Sequence, residues 1–148
     1  MINDDYWLDE ILRRLGITEA YKGYDRVKMA VCLALEDEKR LVTFRDSIYK
    51  YMAEEENGNW KSVEKNFRTV VKRAWTINPE LLQELAGYRM YWAPTVSEFI
   101  SNLVSYRKKQ IKKAAMQAEQ NKKIEIKNEQ SVQTVQKVGS LAASGIQN

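Results

Sequence analysis

Residues 57–75, NGNWKSVEKNFRTVVKRAW, carry the sharpest alternation of apolar and polar positions in the chain. Val63, Phe67, Val70, Val71 and Ala74 recur at i, i+4, i+7, i+8 and i+11, the period of a helix buried along one stripe. The other face holds Lys61, Lys65, Arg68, Lys72 and Arg73, with Glu64 among them. Just upstream, residues 44–56 (FRDSIYKYMAEEE) predict a helix with Phe44, Ile48, Tyr51 and Met52 inward. Its three closing glutamates oppose the helix dipole, so a stop at Asn57-Gly58 follows, and Asn59 is a good N-cap for the basic helix. Two helices joined by a tight Gly-containing turn, the second basic, predict a helix-turn-helix with a recognition helix at 60–75.

The rest of the chain also reads as helix. Asp4 or Asp5 can cap a first helix with Trp7, Leu8, Ile11, Leu12 and Leu15 on one stripe, and Gly16 ends it. A second helix follows KGYDR. Its broad apolar surface (Val27, Ala30, Val31, Leu33, Ala34, Leu35) predicts a mostly buried central position, with Cys32 as a small core residue. Asn78, Pro79 and Gly87 bracket a short fifth helix in the order cap, N1, stop. Thr95-Val96-Ser97-Glu98 fits a capping box for a sixth, with Phe99, Ile100, Leu103, Val104 and Tyr106 inward. From about residue 110 the composition turns to Lys, Gln, Asn and Ser. The prediction is an all-α fold of about six helices: a helical effector domain over 1–109, and a helix extension fading into a flexible Lys/Gln-rich tail over 110–148.

Charge sharpens this picture. The net charge of the 148 residues is only +4, but residues 1–56 hold nine bases and thirteen acids, residues 57–75 five bases and one acid, and residues 104–128 eight bases and two acids. Segregation of this kind makes local positive fields suited to a polyanion; two solvated helix faces would show the same pattern. The chain has no histidine, one cysteine, no GxSxG and no Gly-rich phosphate loop, so no enzyme, metal site or cofactor is expected. The acidic start, MINDDYWLDE, lacks the apolar core of a secretory signal, and no apolar run reaches the roughly 18 residues of a membrane span. A cytoplasmic protein without membrane partners is expected.

The order of several short pieces resembles one family, the C-terminal effector domain of the sporulation response regulator, stage 0 sporulation protein A. The pieces are Gly16-Ile17, Lys22-Gly23-Tyr24, Ala30, Asp37, Ala53, Asn57, Val63-Glu64, Arg68, Ala74-Trp75, Gly87-Tyr88 and Ser97-Glu98-Phe99-Ile100, together covering roughly residues 8–107. The loop between Tyr88 and Ser97 is a few residues shorter than the family's. The resemblance implies six helices, with the third and fourth forming the helix-turn-helix. It also implies a transcription factor whose partners are double-stranded DNA, a second copy on tandem half-sites, and RNA polymerase. In that family the recognition helix presents Arg, Glu, Arg, Arg and His to the major groove; Ser62, Glu64, Lys65, Arg68 and Thr69 stand there in this chain. With Lys61 and Lys72 they make up the candidate DNA-binding set. Ser62 in place of Arg implies an altered sequence preference, because Arg bidentate to guanine is the commonest specific base contact. Full-length members carry a receiver domain ahead of the effector, and this chain has only a few residues there, so control by a receiver within this chain is not expected.

Some roles stay open at this point. Glu64 is either the i,i+4 partner of Arg68 or an acceptor from cytosine N4. Trp60 is either a packing staple or a backbone contact, and RKKQIKK at 107–113 is either solvated or laid along phosphates. The rival function is a helical interaction module that antagonises a related regulator without binding DNA, a reading favoured by Ser62 and opposed by the basic count of the helix.

Overall fold

The computed structural model describes residues 5–146, with side chains to Gly139, and all its regular elements are helical. Six α-helices follow one another: α1 (Tyr6–Arg14), α2 (Gly23–Glu36), α3 (Lys50–Glu55), α4 (Trp60–Ile77), α5 (Pro79–Ala86) and α6 (Val96–Ile146). A 3-10 turn at Glu38–Leu41 and a π-helical turn at Arg45–Tyr49 lie between α2 and α3.

Glycine and asparagine set the stops. At Gly16 the backbone turns left-handed (φ 78°); the Gly16 amide donates to the Arg13 carbonyl and the Ile17 amide to the Leu12 carbonyl, at 2.9 and 2.8 Å. That closure swings Ile17 fully into the core beside Leu8, Leu12 and Leu15. At the other end of α1, Asp5 does not cap with its side chain as expected. Its backbone is already helical, and its carbonyl accepts the amides of Leu8 and Asp9 at 3.0 Å each. Asp4 lies outside the described residues.

α2 is narrower than its apolar run suggests. Tyr24, Val27, Ala30, Val31 and Ala34 are buried, Leu33 and Leu35 are half-buried, and Met29 and Cys32 are exposed. A run such as AVCLAL winds about 100° per residue, so it cannot all face inward, and Cys32 is thus no core residue. α3 departs from expectation for a related reason. The π turn holds extra residues per turn and shifts the phase, so Phe44, Ile48, Tyr49, Met52 and Ala53 are buried. Tyr51 stays outside under the Arg40 guanidinium, 5.0 Å from its ring centre.

α5 and the start of α6 close the core with Leu81, Leu82, Leu85, Phe99, Ile100, Leu103 and Val104. Asn78 caps α5 by accepting the Leu81 amide at 3.1 Å, and its amide group donates to the Arg14 carbonyl at 3.3 Å, tying that corner to α1. Thr95 accepts the Glu98 amide at 3.1 Å, as an N-cap does. Residues 1–107 form one compact unit and residues 108–148 a second. In the second, the chain is helical as far as Ile146, and every side chain from Ile111 to Gly139 is exposed. Good helix formers and the absence of proline sustain it without burial. None of the described helices is long and apolar enough to cross a membrane.

One polar cluster joins α1 to α2. The Tyr24 hydroxyl donates to Asp9 at 2.5 Å, and the Lys28 ammonium lies 2.8 Å from the same carboxylate. Lys28 first and Tyr24 second hold the Asp9 carboxyl below its ordinary value, while donation to Asp9 pushes Tyr24 up to about 12. A carboxyl depressed in the fold adds stability above its unfolded value, and that stability is lost as pH falls through the folded one. Asp9→Asn should therefore lower the melting temperature at pH 7, with the deficit closing below about pH 4. A deficit that persists unchanged at low pH would assign Asp9 a purely steric role.

Close approach of α2 to α4 depends on Gly23. A Cβ there would collide with the Val70 side chain and stand 2.8 Å from the Asn66 carbonyl oxygen, which is helix backbone. Gly23→Ala should destabilise the domain by about 1–3 kcal/mol in urea denaturation, as overpacking does, despite alanine's better helix propensity. A stabilised variant would show that the two helices can part without cost.

Candidate nucleic-acid interface

Local sequence fixes the start of α4. The Gly58 amide donates to the Ala53 carbonyl at 2.8 Å and Asn57 takes the left-handed conformation (φ 53°), so α3 ends sharply. The Asn59 side chain then accepts the Lys61 amide at 2.9 Å and α4 begins. Its buried residues are Val63, Phe67, Val70, Val71 and Ala74, and it packs on α2, α3 and α5. With that stripe inward, Lys61, Ser62, Lys65, Arg68, Thr69 and Lys72 are all exposed and Glu64 is half-buried.

These outward residues are not equivalent. Glu64 and Arg68 form an ion pair at 2.5 Å, so the guanidinium is held one turn from its own Cα. The Thr69 hydroxyl donates to the Lys65 carbonyl at 3.0 Å. Arg73 turns aside: its Nε donates to the Gly16 carbonyl at 3.4 Å, at the end of α1. Trp60 is a staple, half-buried and stacked on Tyr49 with ring centres 6.5 Å apart and planes 13° from parallel. Burial, with the Glu64 charge in second place, pushes the Tyr49 hydroxyl well above its ordinary range, so it is a neutral wall of the site.

Two contributors went unseen in the sequence. Arg45, on the π turn, lies with its guanidinium 5.6 Å from the centre of the Trp60 ring, beside the start of α4. A groove of about 570 Å³ borders Arg45, Arg68 and Lys72 on one side, and Pro94, Thr95 and Ser97 on the other. The first turn of α6 thus brings the positive end of a helix dipole to the same rim. No sequence pattern flags this, because Arg68 and Ser97 meet only through the tertiary fold. The arrangement has three cations against one acid, with Phe44, Tyr49 and Trp75 in the wall. Among the described residues there is no cluster of side chains able to hold a metal ion. What such a surface can do is bind an extended anion.

Residues 8–107 match the family described as sporulation initiation factor Spo0A C terminal. The chain belongs to that family. It is a DNA-binding effector-domain family of a sporulation regulator, and a regulatory rather than an enzymatic one. The match ends at Arg107, where the first compact unit also ends, and all of α4 falls inside it. Residues 108–148 fall outside it.

Proposed function

We propose that this member of the Spo0A C-terminal family is a sequence-specific transcriptional regulator that lays α4 in the major groove of duplex DNA. The helix-turn-helix is then α3, the turn at 56–59, and α4. One observation carries the reading: from Lys61 to Lys72 the face of α4 left by its buried stripe exposes lysine, arginine, serine and threonine and no large apolar residue, the exposed Ile77 lying at the far end of the helix. An interface for a protein partner would place aromatic or aliphatic anchors there. The domain division follows the same logic, with an effector domain over 1–109 and an extension over 110–148. Such a regulator works in the cytoplasm, pairing on tandem half-sites and meeting RNA polymerase at the promoter.

Roles can be assigned along the helix. Arg68 is the base-reading residue, with Glu64 orienting its guanidinium; Ser62, Lys65 and Thr69 adjust the preference. Lys61 and Lys72 contact phosphates. Because Ser62 offers one hydroxyl where the family has a guanidinium, the preferred site differs from the family's. With on the order of 4–6 phosphate contacts, log K should fall against log[salt] with a slope of about −4 to −5. Arg68→Ala should cost about 1–3 kcal/mol on the preferred duplex and little on random duplex, whereas Lys72→Ala should weaken both equally. Equal losses for the two variants on both duplexes would remove Arg68 from base reading. Absence of any duplex binding at about 50 mM salt would favour the interaction-module function instead.

A further inference from the structure

Among the described residues the helix beyond Gln110 buries no side chain, and its apolar residues form no seam. Ile111, Met116, Ile124, Ile126, Val132, Val135 and Val138 are all exposed and scattered around the axis. Four of its lysines, in contrast, share one face. At about 100° per residue, Lys109, Lys113, Lys123 and Lys127 fall within about 40° of one line along the helix. Lys112 and Lys137 lie to one side of that line. Lys122, Glu125 and Glu129 occupy the opposite face. Glu119 is the one acid near the lysines among the described residues; its link to Lys123 spans 3.9 Å between two well-exposed side chains, which makes it weak.

We propose that this lysine face is a second DNA-binding element, laid across the duplex to contact phosphates without reading bases. The proposal rests on the DNA-binding function argued above and adds to it a site outside the family match. Two features select duplex DNA. The lysines form two clusters, 109/112/113 and 123/127, whose centres are about 20 Å apart at 1.5 Å per residue. The same face between them carries the uncharged Met116 and Gln120. A helix crossing the major groove, about 12 Å wide, sets one cluster over each bordering phosphate row, within reach of flexible lysine stems. A membrane surface would need an apolar face opposite the basic one, and a coiled coil an apolar seam; the described residues of this helix form neither.

The test uses the full chain with Lys109, Lys113, Lys123 and Lys127 all changed to Gln, which keeps helix propensity. Binding is measured on two duplexes of about 30 base pairs, one with the preferred site and one scrambled. The slope of log K against log[salt] should become shallower by about 3–4, the loss of about four phosphate contacts. Affinity for both duplexes should fall by the same factor, leaving the preference between them unchanged. Changing the same four lysines to Arg should retain the slope, and circular dichroism should show equal helix content in all three chains. An unchanged slope in the Gln variant, while Lys72→Ala still weakens binding, would overturn the second element and leave the α4 interface standing. Parent protein that binds no duplex would instead overturn both. Loss of binding to phosphatidylglycerol vesicles with duplex binding intact would assign the face to a membrane surface and refute the proposal.

Discussion

Burial of one stripe of α4 against α2, across Gly23, is the constraint on which the rest of the molecule depends. Phe67, Val70 and Ala74 are fully buried, and Phe67 meets the edge of the Phe44 ring at 6.2 Å. Each large apolar side chain withdrawn from water contributes on the order of 1.5–3 kcal/mol, so the register of α4 is strongly determined. Rotating the helix by one residue would bury a lysine and expose a phenylalanine. The outward face is therefore fixed by packing that never touches it, and a rigid element carries the residues proposed to meet DNA.

Charge acts within that fixed frame. The helix bears five bases and one acid, and the acid is spent on restraining one of the bases: Glu64 sits one turn before Arg68, the favourable order for such a pair. The pair is largely exposed on the arginine side, so it adds little to stability. Its value lies in orientation, since a restrained guanidinium loses less entropy on meeting a base edge. Two acids of the first fifty-six residues join separate elements: Asp9 holds Tyr24 and Lys28, and Glu56 pairs with Arg26. Asp46 pairs with Lys50 and, at 3.6 Å, with Arg45 at the rim of the groove.

Much of this was legible in the chain because it is local. The stripe of α4, the stops at Gly16 and Gly87, and the caps Asn59, Asn78 and Thr95 are set by residues within one or two turns. What failed needed a longer view. The exchange of Tyr49 for Tyr51 follows from a π turn, which packing rather than propensity decides. Cys32 was misplaced because a continuous apolar run hides the helix period. Asp5 looked like a cap, yet its helical backbone leaves the task to its carbonyl. Arg45 and the start of α6 join the site only when segments some twenty or more residues apart are brought together, and no spacing rule reports that. Within the candidate site, the residue types were readable and the pairing of Glu64 with Arg68 was one of two roles its spacing offered, but the diversion of Arg73 was not legible.

The central claim is that the exposed face of α4, and not the acidic half of the domain, meets duplex DNA. Amide chemical shifts followed by NMR while a short duplex is titrated into the labelled protein test it directly. The account predicts the largest shifts from Lys61 to Lys72 and at Val96–Ser97 across the groove, with the outer faces of α1 and α2 unmoved. Shifts concentrated on α1 and α2, with α4 silent, would contradict it.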